Sequence, residues 1–284
     1  METIRIILNF TQDSKKYFSK QLKNGTHWDN FTLTNDERAD YYVIINEPMN
    51  YNTYYDEKKT IYIAMEPTFS DWGKKFRPLI ADNKHIYFHK VNGLEWWVGR
   101  NYDELINLKI DKSKNLSAII SDNYQSEYHI KRVNFLPYLD KLDNVDFFGF
   151  LNFPNSTGYN IIKSLKNYRG KLGNKELGLF PYKYTFASEN AREEGYFTEK
   201  IADAIISECL CFYCGCPNIT DFIDERAYII LDLNKPEEAK KIVEDAINSN
   251  EWEKRIDIIR KEKNKILNEL QLIPTIVNII KKKL

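Results

Sequence analysis

Three things are scarce in this sequence, and each scarcity closes off a class of protein. The first is net charge: Lys and Arg number 41 against 41 Asp and Glu. Bulk electrostatics therefore gives no pull toward a polyanion such as nucleic acid, and any anion site must be a local concentration of positive charge. The second is a long apolar run. No stretch approaches the length of a membrane span, and Met1 to Leu8 lacks the basic start and long apolar core of a signal peptide. A cytoplasmic protein, bacterial or viral in style, is the expectation. The third is cysteine, confined to Cys209, Cys211, Cys214 and Cys216. Structural zinc sites normally draw two ligand pairs from separated segments. On a strand Cys209 and Cys211 share a face, so small buried side chains in a reducing compartment are expected. His85, His89 and His129 are dispersed and make neither a triad nor a metal set.

What is present is enough to build real cores. The chain has 284 residues, 43% hydrophobic and 14% aromatic, room for one large or two modest domains. Short β-prone runs recur at Ile4 to Asn9, Tyr41 to Ile45, Thr60 to Ala64 and His85 to Phe88, with polar stretches between them, notably Lys15 to Lys23 and Asp71 to Ile80. A second series opens at Leu116 to Ser121 and continues with a helix over Ser126 to Leu139. It goes on through a strand at Val145 to Gly149, a helix at 161–168, a strand at Ala227 to Leu231 and a helix from Pro236 to Asn248. A last helix carries Trp252, Ile256, Ile259, Ile266 and Leu270 on one face. Strands alternating with helix-length connections predict parallel α/β sheets. The charged stretch Arg100 to Lys114 reads as an interdomain connection, dividing the chain into 1–112 and 113–284. Leu94 to Val98 is core or an aromatic sugar platform; adjacent Trp96 and Trp97 point opposite ways if extended, so at most one faces a ligand.

The chain is organised around residues 182–219. Tyr182 to Phe186 suits a buried strand, and Ala187 to Gly195 is polar and reads as a loop. Thr198 offers an N-cap oxygen and Glu199 a carboxylate in the first turn of a helix running to Ser207, after which Cys209 to Cys214 is the next strand. In an open α/β sheet, ligands bind beyond the carboxyl ends of the strands. A lysine in a first helical turn opposes the macrodipole, and an anion held between Lys200 and the helix start would account for it. The other account is a solvated helix start with a surface lysine. Asn190 can donate to a phosphate or hydroxyl, Tyr196 can stack or hydrogen-bond, and Glu199 can accept from sugar hydroxyls.

The order Glu189, Asn190, Tyr196, Thr198, Glu199, Lys200, a helix, a strand and then Gly215, Pro217 and Asn218 resembles the donor-binding signature of glycosyltransferase family 10, the α1,3/α1,4-fucosyltransferases. Phe186 matches as well, whereas Ser188 and Ala191 stand where that family usually has Phe and Ser. The resemblance implies an α/β chain of GT-B architecture, two Rossmann-like domains with parallel sheets facing a central cleft. Residues 1–112 would form the acceptor side and 113–284 the nucleotide-sugar side. It implies an inverting, metal-independent α1,3-type transferase that moves fucose from GDP-fucose to a hydroxyl of an acceptor glycan and releases GDP, with no cofactor required. A different donor or acceptor on the same fold, or a non-catalytic glycan-binding relative, are its alternatives.

Displacing a nucleoside diphosphate builds negative charge on the leaving phosphate and requires deprotonation of the attacking hydroxyl. No Asp-x-Asp at a strand end is present to hold a metal. Lys200, the helix start, Asn190 and an arginine are expected in its place. Arg132, in Lys131 to Leu136, resembles the family's arginine, and guanidinium suits bidentate contact with pyrophosphate; it reads equally as a surface helix residue. The general base is expected at Glu66, after an apolar strand and before Pro67, with Glu47 before Pro48 as the second candidate; either carboxylate also suits a cap or a surface. Glu189 could orient the loop. The terminal segment Ile273 to Lys283 is amphipathic and basic, suited to packing back on the first domain or to weak contact with an anionic membrane surface.

Overall fold

A computed structural model of the protein describes residues 1–50, 52–68, 87–89 and 94–284, the strand at 87–89 as backbone. The helix expected over Asp71 to Ile80, and the start of the strand expected at His85, lie outside the described residues. The chain divides into two compact units. Unit 1 comprises Met1–Glu95, Arg100–Leu108 and Ile266–Leu284; unit 2 comprises Trp96–Gly99 and Lys109–Lys265.

Unit 1 holds strands β1 (Glu2–Ile7), β2 (His27–Trp28), β3 (Phe31–Leu33), β4 (Tyr41–Ile45), β5 (Thr60–Ile63) and β6 (Tyr87–His89), in the spatial order β2-β3-β1-β4-β5-β6. All neighbouring pairs are parallel except β2 with β3. That antiparallel pair departs from the expected all-parallel sheet, and its turn needs Asp29 at φ 50°. Val43, Ile61 and Ile63 are fully buried, as near-continuous apolar runs require in a parallel sheet covered on both faces. Each such side chain contributes about 1.5–3 kcal/mol of transfer free energy. Helix α1 (Ser14–Phe18) is shorter than the polar stretch suggested, because a 3₁₀ turn follows at Ser19–Gln21.

The stretch Arg100 to Lys114 is not a plain connection. It contains helix α2 (Tyr102–Asn107), started by a reciprocal capping box between Asn101 and Glu104, and Arg100–Leu108 belongs to unit 1.

Unit 2 has β7 (Lys114–Ile119), helix α3 (Glu127–Leu139), β8 (Val145–Phe148), helix α4 (Thr157–Lys163), β9 (Tyr182–Ser188), helix α5 (Glu199–Ile206), β10 (Leu210–Cys214), β11 (Tyr228–Ile230), helix α6 (Pro236–Asn248) and helix α7 (Glu251–Lys265). Its sheet runs β11-β10-β9-β7-β8, every pair parallel. Strand β9 extends past Phe186, because Ala187 and Ser188 pair with Tyr213 and Cys214. Helix α4 begins earlier than the apolar pattern suggested; the Ser156 hydroxyl accepts from the Tyr159 N–H and fixes its start.

The last expected helix is broken. A π-helical turn over Ile266–Leu270 follows α7, and Gln271 then caps α8 (Leu272–Lys283) in unit 1. In α8, Leu272, Ile273, Ile276, Val277 and Ile280 are all buried, and Lys281 pairs with Asp29 at 2.8 Å. The apolar face of α8 is thus taken up by packing, one of the two roles expected for this segment. No helix among the described residues is long and apolar enough to cross a membrane.

Candidate active site

Beyond the carboxyl ends of β7, β8 and β9 the sheet of unit 2 must give way, and the chain there is shaped by close approach. A Cβ on Gly149 would sit 1.8 Å from the Ile120 carbonyl oxygen, so only glycine lets β8 leave the sheet at that point. The space so defined is a pocket of about 480 Å³, within the range typical of small-molecule sites. Arg132, Asn190, Glu199 and Lys200 line it together. They come from α3, the loop after β9, and the first turn of α5.

Glu189 organises this end of the molecule from underneath. It is fully buried, and its carboxylate accepts from the Thr198 N–H (2.9 Å), the Thr198 hydroxyl (2.6 Å) and the Tyr213 hydroxyl (3.3 Å). Burial pushes its pKa up, against the opposing pull of Lys200. Thr198, so held, caps α5 by accepting from the Lys200 N–H at 3.4 Å. Gly215 is required beside it, since a Cβ there would meet Tyr213 Oη at 2.4 Å and Glu189 Cγ at 2.5 Å. Asn218 accepts from the N–H of Gly195, itself at φ 72°, and ties down the far end of the loop. The Gly-Cys-Pro-Asn segment thus shapes the loop that carries Asn190.

Lys200 Nζ lies 3.1 Å from Glu199 Oε1 and 3.5 Å from Glu189 Oε2. Two carboxylates of the chain itself thus offset its placement at a helix start. Burial favours the neutral amine, but the two carboxylates outweigh it and raise the pKa of Lys200. Glu199 has the converse balance. Burial would raise its pKa, but Lys200 and Lys175 hold it below the ordinary carboxylate value.

Arg132 is buried rather than a surface residue. One terminal nitrogen donates to Asn190 Oδ1 at 2.8 Å and the other to the Ser121 hydroxyl at 3.3 Å. Its Nε–H is buried and has no hydrogen-bond partner among the described residues. Desolvation brings its pKa down to about 10, opposed by Glu189, Tyr196 and Glu199. A guanidinium taken out of water with a donor unused can gain from an acceptor oxygen that enters the pocket.

Tyr196 is buried and does not line the pocket. Glu66 and Glu47 belong to unit 1, where they follow β5 and β4; Glu47 is buried and Glu66 half-buried. In the same corner Asn46, at φ 60°, accepts the Met65 N–H at 2.8 Å through its side chain. The four cysteines are buried and free. Among the described residues no group of three or more His, Cys, Asp or Glu side chains is placed to hold a metal ion.

Several wall residues were not singled out from the sequence. His129 stands on the wall with its pKa lowered to about 4, by desolvation first and then by Arg132. Its position three residues before Arg132 on a Ser-capped helix was a signal, since such residues share a helix face. Lys175 and Asp203 also line the pocket and pair at 2.5 Å. Nothing in their local sequence marks them; folding alone brings them together. Counting Glu189 beneath, Arg132, Lys171, Lys175 and Lys200 face Glu189, Glu199 and Asp203, a local excess of positive charge in a chain that has none overall.

Two α/β units, each built on a sheet of largely parallel strands, make this a GT-B chain, the two-Rossmann fold of many glycosyltransferases. Solved structures with this fold match it. One is a glycosyltransferase from Rickettsia africae ESF-5, 9% identical with a TM-score of 0.54, the match covering 99% of both chains. Another is OtsA in its apo form, 7% identical with a TM-score of 0.54, covering 87% of this chain and 74% of that one. An α1,3-fucosyltransferase with GDP is 17% identical with a TM-score of 0.48, covering 94% and 90%. No family model matches the sequence, and no curated protein does.

Proposed function

We propose that this protein transfers a sugar from a nucleoside diphosphate donor to an acceptor hydroxyl, the donor being GDP-fucose and the acceptor a glycan. The observation that carries this is the convergence of Arg132, Asn190, Glu199 and Lys200 on one pocket at the start of α5. The donor sugar comes from the resemblance of Glu189 to Lys200 to the family-10 motif.

In this reading the pyrophosphate takes the Arg132 guanidinium, including its unused Nε–H, together with Lys200. Glu199, kept ionised by Lys200 and Lys175, accepts from hydroxyls of the donor. The acceptor oxygen attacks the anomeric carbon as the bond to the β-phosphate breaks; GDP leaves with the electron pair, and the acceptor proton passes to a carboxylate. Glu66 is that base, with Glu47 the second candidate, and a single displacement inverts the anomeric centre to give an α1,3-type linkage. Charge on the departing GDP is offset by fixed cations in a site already desolvated, where they act most strongly.

A second reading keeps the site and changes the donor. A protein of the same fold from E. coli is bound with UDP-2-fluoro glucose, at 7% identity and a TM-score of 0.53. Isothermal titration with GDP-fucose, other GDP-sugars and UDP-sugars separates the two, and a clear preference for a UDP donor removes fucose. GDP release from GDP-fucose with a panel of acceptor glycans should be lost in Lys200→Ala and Glu66→Gln. Glycan binding that survives Lys200→Ala, with no GDP released from any pairing, would instead make the chain a non-catalytic binder.

A further inference from the structure

Trp97 lines the pocket together with Glu199 and Lys200, and its ring is displayed rather than packed away. It is 59% exposed, while its neighbour Trp96 is completely buried. One tryptophan anchors the segment and the other is displayed. The display is held by named contacts. The Trp97 main-chain N–H donates to Asp203 Oδ1 at 2.7 Å, and Lys175 donates to the other oxygen of the same carboxylate. Asp203 is 1% exposed, and burial pushes its pKa up against the pull of Lys175. Lys175 Nζ also lies 5.6 Å from the centre of the Trp97 ring, within reach of a cation–π contact. Asp203 is one turn along α5 from Glu199, so the helix that carries Glu199 and Lys200 into the pocket also holds the Trp97 main chain.

Asp203, paired with Lys175, anchors the Trp97 main chain and leaves the indole displayed as an apolar surface in the pocket that Glu199 also lines. A pyranose ring matches such a surface. It has one face of C–H groups and a rim of hydroxyls, so it can lay the first on an indole and direct the second to Glu199, whose carboxylate lines the same pocket. We propose that Trp97 is the stacking surface for the pyranose of the donor, set in place by Asp203 and Lys175, and that it determines sugar affinity rather than nucleotide affinity. This rests on the nucleotide-sugar reading above and adds to it a residue outside the matched motif.

The test is titration calorimetry of the full chain with GDP and, separately, with GDP-fucose. In Trp97→Ala the affinity for GDP-fucose should fall about tenfold, equivalent to about 1.4 kcal/mol, while that for GDP changes less than about twofold. Trp97→Phe should restore most of the loss, because a smaller aromatic face still stacks. An equal loss for both ligands, or no loss for either, overturns the assignment of Trp97 while leaving nucleotide binding intact. Wild-type protein that binds neither GDP nor GDP-fucose overturns the nucleotide reading as well, so the two failures are distinguishable.

Discussion

Replacing Glu189 by alanine should damage this protein more than any change on the pocket wall, although Glu189 does not line the pocket. Its carboxylate serves the Thr198 N–H and hydroxyl, the Tyr213 hydroxyl and the Lys200 ammonium. Alanine strands those donors in a site that is closed to water. Removing one partner of a buried ion pair costs about 3–5 kcal/mol, and a buried unsatisfied donor costs about 1–3 kcal/mol. The ion-pair penalty is partly offset, since Lys200 keeps Glu199 at 3.1 Å, whereas the Tyr213 hydroxyl only accepts from the Cys216 N–H and its own O–H is left unpaired. A net loss of about 3–5 kcal/mol is therefore expected for Glu189→Ala. Glu189→Gln keeps the shape and one good acceptor, and should lose about 1–2 kcal/mol. Urea unfolding gives the free energies, and hydrogen exchange at the Thr198 amide gives the local effect, which should be a marked acceleration in the alanine variant. A loss below about 1 kcal/mol for Glu189→Ala, with Thr198 exchange unchanged, would refute the view that this carboxylate sets the start of α5.

Two further consequences can be measured directly. His129 has its pKa pushed down to about 4 in the folded chain from an ordinary value of 6.5, so between these values the unfolded chain binds more protons and stability falls as pH is lowered from about 6.5 toward 4. His129→Gln should flatten the urea midpoint across that window, and an unchanged slope would count against the burial of the imidazole. Gly149→Ala drives a methyl group into the Ile120 carbonyl, where a Cβ would lie 1.8 Å from the oxygen; a stability loss of about 2 kcal/mol or more is expected in thermal unfolding, and a neutral effect would show that the end of β8 can shift.

The parts of this architecture that could be read from residues were those fixed by local chemistry. The Thr198 cap, the strand before it and the apolar strand after it follow from neighbouring side chains, and so does the helix opening at Pro236. The pair β2 and β3 escaped because runs of two and three residues hold too little alternation to recognise. The break at Ile266 escaped because a π-helical turn keeps the apolar positions and changes only the hydrogen bonding. Among the residues that line the pocket, Arg132, Asn190, Glu199 and Lys200 could be named in advance, and so could the display of one of the two adjacent tryptophans. Asp203 and Lys175 could not, because they meet across 28 residues of sequence and neither lies in a recognisable local pattern. The same holds for Lys200, whose compensation by Glu189 depends on a loop folding back beneath the helix.

Unit 1 is discontinuous in sequence. Its sheet lies within 1–95, whereas α8, which supplies five or more of its interior aliphatic side chains, follows the whole of 109–265. Until α8 docks, part of that oily interior stays uncovered, and exposed apolar surface of this kind promotes aggregation. A proteolytic cut between α7 and α8 should therefore leave unit 1 prone to aggregate while the continuous stretch 109–265 of unit 2 keeps its own core.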